Sequence, residues 1–203
     1  MAVQLPALNF LRATVALVTL LAIGWQLALH VGATYSALNF FSYFTNLSNL
    51  FALIVLLSVV FLGDYGSREF ARYLSAVKMA VVGLVFSVLL RNADLGALLP
   101  WVNVILHYVT PLAVVVDWVV APPTRRLNPA HAFLTLIFPA VYLAYVLIRG
   151  ASTGWYPYPF LNPQNVSGYG AVAAYSAGIA GTFLLVSGAL LVVGNNMARS
   201  RSI

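Results

Sequence analysis

An all-α fold, a polytopic membrane protein of six transmembrane helices with both termini cytoplasmic, is predicted by three observations. The chain is 62% hydrophobic and 7% charged with a mean hydropathy of +0.94, far from the composition of a soluble domain. Its apolar residues fall into six runs, each near the ~20 residues that cross a bilayer. Its basic residues sit in the turns between those runs and crowd onto one side. A single domain over residues 1–203 follows. The net charge of +6 therefore reads as membrane topology rather than as a surface for nucleic acid.

In order, the spans run from Asn9 to Val31, Ala37 to Leu62, Tyr73 to Asn92, Pro100 to Val120, Pro129 to Ile148 and Tyr169 to Gly194. Turn chemistry separates them: Gly32, Gly63-Asp64, Gly66, Asp94 to Gly96, Pro122-Pro123 and the proline-rich stretch 157–163. The first run has Arg12 as its only early basic residue and reads as a retained helix rather than a cleavable signal. With both termini inside, the inner face receives Arg12, Arg68, Arg72, Lys78, Arg125, Arg126, Arg199 and Arg201. Only Arg91 and Arg149 remain for the outer face. The sixth run carries Gly170, Ala174 and Gly178 at four-residue steps, then Gly181 and Gly188, and predicts close helix packing. No internal repeat supports an inverted-repeat transporter.

The second run opens with polar residues. Ser42, Thr45, Asn46 and Asn49 share one face of a continuous helix. Polar groups in hydrocarbon are costly without partners, so this stripe is predicted to face other helices or a wet cavity. Thr45 lies eight residues into its span, ~12 Å from the outer end, and His107 lies seven residues into the fourth, ~10 Å from the same end. Asn103, His107, Thr110 and Asp117 share a face of the fourth span. A hydroxyl beside an imidazole is the minimal arrangement for nucleophilic catalysis, the ring taking the proton during attack and returning it to the leaving group. Asp117 is ~15 Å of helix from His107, too far to orient the ring, and is expected to pair with Lys78. An asparagine, a tyrosine or a backbone carbonyl is left as the orienting partner. Asn46, Asn49, Asn103, Tyr43 and Arg91 are the candidates to bind substrate or hold an oxyanion.

Other chemistries are thinly represented. There is no cysteine, which removes disulfides, thiol catalysis and cysteine metal sites. His30 and His131 are predicted at opposite surfaces, leaving no histidine pair for haem, and neither HExxH nor GxSxG occurs. No metal or cofactor is implied. The longest outer loop, Arg149 to Tyr169, holds Trp155-Tyr156-Pro157-Tyr158-Pro159-Phe160-Leu161-Asn162-Pro163. It reads first as an interfacial aromatic belt and second as a stiff lid over an outward-facing cavity.

Three stretches carry a resemblance across almost the whole chain: Phe41-Ser42-Tyr43-Phe44-Thr45-Asn46-Leu47-Ser48-Asn49, His107 with Pro111 and Asp117-Trp118, and the loop 155–163. The chain resembles the bacterial predicted six-transmembrane protein family, related to the eukaryotic androgen-induced and androgen-dependent membrane hydrolases. That resemblance implies a bacterial plasma-membrane enzyme hydrolysing fatty acid esters of hydroxy fatty acids. Thr45 matches the family's threonine and His107 its histidine, while the surrounding residues differ from the eukaryotic pattern. The expected partners are a lipid ester and membrane lipids. Two other readings compete. A small-solute or proton-coupled transporter needs a polar route through the bilayer, and a non-catalytic lipid-binding scaffold needs the polar stripes only as glue between helices.

Overall fold

The computed structural model describes residues 6–64, 66–93 and 98–200, without the side chains of 199 and 200. The expected turn at Asp94 to Gly96 and Arg201 lie outside the described residues. Within them the chain is all-helical, and six helical spans are long and apolar enough to cross a membrane: Pro6–Gly32, Phe44–Leu62, Ser67–Leu90, Pro100–Val120, His131–Thr153 and Gly168–Ala198. The protein is a multi-pass integral membrane protein. Its helices are α1 (Pro6–Gly32), α2 (Ala37–Phe41), α3 (Phe44–Leu62), α4 (Ser67–Val85), α5 (Pro100–Val104), α6 (Thr110–Val120), α7 (His131–Leu134), α8 (Ile137–Thr153) and α9 (Gly168–Ser200). Two single π turns occur: Phe86–Leu90 ends the third span and Ile105–Val109 interrupts the fourth.

The third span is the hub, the most buried of the six, with α4 packed against α3, α6 and α9. Small side chains allow this: Ala16, Ala52 and Ala76 are fully buried where α1, α3 and α4 meet. Its helix starts at Ser67, six residues before the sequence-predicted Tyr73, because Gly66 takes a left-handed φ of 63° and sets off the turn. Glu69 in that first turn suits the positive end of the helix. Its Oε1 also accepts the Thr124 N–H at 2.7 Å, tying the loop after α6 to α4. The fifth span is the least buried, with only Tyr142, Val146 and Gly150 of α8 covered.

Three expectations are corrected. Asp117 does not pair with Lys78. Its Oδ1 accepts Arg12 Nε at 2.6 Å, and its Oδ2 accepts Arg72 Nε and Nη2 at 3.0 and 2.8 Å. Arg72 also grips Asp64. This cluster pins α1, α4, α6 and Asp64, just after α3, together at the end of the bundle where the basic loops lie. Depth along two helices could not reveal that two guanidiniums on other faces compete for one carboxylate. Deleting one partner of such a buried set typically costs ~3–5 kcal/mol. Lys78 instead lies between aromatic faces, its Nζ 3.9 Å from the Phe51 ring centroid and 3.8 Å from that of Phe138, a cation–π arrangement suited to a desolvated ammonium.

The second correction concerns the sixth span. At Gly170, Gly178, Gly181 and Gly188 nothing lies within 4 Å of where a Cβ would stand, so those glycines do not bring a neighbouring helix close. The close approach is at Gly194, where a Cβ would stand 2.6 Å from the Trp118 ring. The third is that the second span is not one helix. It breaks at Ser42 and Tyr43, and Tyr43 takes an extended ψ of 127°.

Candidate functional site

The break after α2 is held by side chains replacing helical hydrogen bonds. The Phe40 carbonyl accepts Asn46 Nδ2 at 2.8 Å, and the Ser42 carbonyl accepts the Tyr142 hydroxyl at 2.8 Å. The Thr45 N–H would meet the Phe41 carbonyl in a continuous helix. Here it donates to the Tyr158 hydroxyl at 3.2 Å. Every member of the polar stripe, Ser42, Thr45, Asn46 and Asn49, is buried, as the sequence predicts. Thr45 thus sits in the first turn of α3, its Oγ1 3.5 Å from the same phenol oxygen, rather than bonded back to its own helix.

His107 is placed by a proline. Pro111 has no N–H, so a regular helix would leave the His107 carbonyl without a donor and drive the proline ring against it. The chain widens into a π turn instead, the Thr110 N–H reaching the Ile105 carbonyl. Leu106, whose π-type donor would be Pro111, is left with an orphaned carbonyl. Asn49 Nδ2 supplies the missing hydrogen at 3.0 Å while also bonding the Thr45 carbonyl at 2.9 Å. One amide therefore fixes the register between the helix of Thr45 and the turn of His107. Gly83 makes room on the other side, where a Cβ would stand 3.4 Å from the His107 carbonyl oxygen. The Phe86 ring stacks on the imidazole at 3.9 Å between centroids.

The imidazole Nδ1 lies 3.2 Å from the Asn103 carbonyl. A carbonyl only accepts, so Nδ1 carries the proton and Nε2 is left with its lone pair. Of the orienting partners open on sequence grounds, the backbone carbonyl is the one used.

Thr45 and His107 line one cavity of about 400 Å³, together with Gln26, Asn46 and Tyr158. Tyr43 lines it as well, and so does His30 in the last turn of α1. The two candidate groups do not bond each other: the hydroxyl is turned to Tyr158 and the ring to Asn103. A second chamber of about 240 Å³ adjoins the first. Its walls are almost wholly apolar, drawn from α3, α4, α8, α9 and the 158–161 segment. Thr45, Phe86, Leu90 and Tyr158 belong to both chambers, so the threonine stands on the seam between a polar space and a greasy one.

No family model, curated protein or solved structure matches this chain. The site is therefore read from its own geometry.

The remaining candidates divide. Asn46 lines the polar cavity but commits its Nδ2 to the Phe40 carbonyl, and Asn49 commits its Nδ2 to two carbonyls. Both are braces of the site. Asn103 contributes its backbone carbonyl, while its Oδ1 is buried with no partner among the described residues. Arg91 is exposed just past the π turn and lines neither chamber, so it is corrected as an oxyanion holder. Tyr158 is the group that sequence reasoning missed. The loop carrying it folds inward, with Pro157, Phe160 and Leu161 buried, instead of lying as a belt. Gly150 admits it, since a Cβ there would overlap the Tyr156 ring. Burial pushes the Tyr158 phenol above its ordinary range, so at neutral pH it is a protonated donor. Its density of prolines was the one signal in the sequence that this loop has a fixed path.

Proposed function

We propose that the protein is an intramembrane hydrolase that cleaves a lipid ester by acyl transfer through Thr45. The observation that carries this reading is that Thr45 and His107 face one cavity, with Asn103 turning the ring so that Nε2 is the acceptor. Thr45 Oγ1 adds to the ester carbonyl carbon, and its proton passes to His107 Nε2. The C–O bond to the alcohol then breaks, and His107 returns the proton to the departing oxygen. Water, deprotonated by the same nitrogen, releases the acid and restores the threonine. Bound substrate is what brings hydroxyl and ring into line, as catalytic hydrogen bonds commonly tighten only in the complex. The Tyr158 hydroxyl, already against Thr45, is the donor best placed for the developing oxyanion. A fatty acid ester of a hydroxy fatty acid, the substrate type of the resemblance, has the two arms that two adjoining chambers accommodate.

The carrier reading has less support. The polar groups that line the cavity stand at the Thr45 end. Beyond them, Ala52, Leu53 and Val114 are buried in the apolar core before the Arg12–Asp117–Arg72 cluster is reached. The scaffold reading does not use the acceptor nitrogen that the Asn103 carbonyl leaves on His107.

The test uses purified protein in detergent with a long-chain fatty acid ester. Thr45→Ala and His107→Ala are each expected to lower turnover by about 10²-fold or more with the melting temperature held within a few degrees. A fluorophosphonate probe is expected to label Thr45 and to lose that label in Thr45→Ala. Full turnover in either variant refutes the pair. Turnover lost only in His107→Ala, with no label on Thr45, would point to direct activation of water by His107.

A further inference from the structure

The apolar chamber has a role that the pairing of Thr45 with His107 does not require. It lies between spans that are otherwise loosely joined. Pro139, Ala140 and Leu143 of α8 form one wall, and Ser176, Ile179 and Ala180 of α9 face them. The fifth span is the least buried in the bundle. Ala140 is exposed and lines the chamber, beside the exposed Ile137 and Val141 of the same helix, so the chamber lies at the outer edge of that span. In a membrane that edge meets acyl chains. Thr45 lines the chamber and the polar cavity alike.

We infer that the chamber is an acyl-chain site entered sideways from the bilayer between α8 and α9. A single hydrocarbon chain lies in it, and the attached carbonyl is delivered to the seam at Thr45. The occupant is a hydrocarbon chain for three reasons. The walls offer almost no polar partner, so a polar solute entering there would lose its hydration without replacement. Small residues, Ala140, Ser176 and Ala180, are among those that α8 and α9 contribute to its lining, and larger ones there would fill the space. Finally, the chamber adjoins the polar cavity across Thr45, Phe86, Leu90 and Tyr158, which line both, so an amphiphile with its tail in one and its head in the other has its ester beside Thr45. The substrate class that fits is an ester whose acyl chain is dissolved in the membrane. The alcohol part occupies the cavity beside His107 and leaves from there. Lipid-side entry spares the tail from crossing water.

This inference rests on the hydrolase reading only for what happens at Thr45. Occupancy of the chamber is tested without catalysis. In liposomes, a long-chain fatty acid bearing a diazirine near its chain terminus is irradiated with the wild-type protein, Ala140→Trp and Ala180→Trp, and cross-linked peptides are mapped. Labelling of residues 136–143 and 176–183 is expected in the wild type and is expected to fall at least fivefold in either variant. Thr45→Ala should label as the wild type does. Label elsewhere, or undiminished in both tryptophan variants, overturns the site.

The second arm compares a long-chain ester with a short acetyl ester that reaches Thr45 through the polar cavity. Either tryptophan is expected to cut long-chain turnover tenfold or more while leaving the short ester within twofold. An equal fall on both esters, with melting temperature unchanged, would also overturn it. If the wild type cleaves neither ester yet the cross-links appear and disappear as stated, the chain site stands and the hydrolase reading falls.

Discussion

The Tyr158 phenol shows how one atom can serve both fold and chemistry. Its oxygen accepts the Thr45 N–H that the break in the second span sets free, and its own hydrogen is available to the threonine or to a bound carbonyl. Tyr158→Phe removes that oxygen but keeps the ring that stacks on Phe160 at 5.3 Å between centroids. The buried N–H loses its acceptor, so a stability loss of ~1–3 kcal/mol is expected in denaturation. Loss of an oxyanion donor lowers kcat by about 10²–10³. If Tyr158 were only a cap on the helix, stability would fall and kcat would not. Because burial raises the phenol above its usual range, a rate that needs its proton is not expected to decline at alkaline pH until beyond about pH 10. A decline with a midpoint near pH 8, present in the wild type and absent in Tyr158→Phe, would exclude this role.

Between Asn103 and Thr110 the decisive feature is the π turn, and Pro111 is its cause. With Pro111→Ala an N–H returns four residues after His107, the helix can close to regular geometry, and the ring rotates away from its present bearing. Melting temperature is expected to hold or rise while turnover drops by an order of magnitude or more. Undiminished turnover would mean that the turn is not what aims the ring. The same segment marks the limit of sequence reading. Counting residues down two spans put Thr45 and His107 at one level, and the cavity they share agrees. Counting also assumed two regular helices, and neither is regular. Pro111, four residues past the histidine, was a visible sign of the second irregularity. The break at Ser42 and Tyr43 had no such sign, because it depends on Tyr142 and Tyr158 arriving from α8 and from the loop after it. Burial of Asn46 and Asn49 followed from the cost of an unpartnered amide in hydrocarbon, but their hydrogens go to broken helix ends rather than to a substrate. The Lys78–Asp117 pairing failed because depth says nothing about bearing around a bundle axis, and Arg12 and Arg72 were on the right faces.

Across the whole bundle, polarity is unequal at the two ends. One end holds the buried Arg12, Arg72, Asp64 and Asp117 cluster and the exposed Arg125 and Arg126 of the loop 121–130. The other holds the neutral polar cavity under the folded 155–161 segment. Positive residues are retained on the cytoplasmic side during insertion, so the first end is predicted inside and the cavity is predicted to open outward. The absence of cysteine makes this directly measurable with single cysteines at exposed positions. Thr124→Cys lies in the basic loop and Ser167→Cys just before α9, and both residues are exposed. In intact cells a membrane-impermeant maleimide is expected to label Ser167→Cys and to reach Thr124→Cys only after permeabilisation. The reverse pattern would turn the cavity to the cytoplasm, so that the polar product of ester cleavage would be released there.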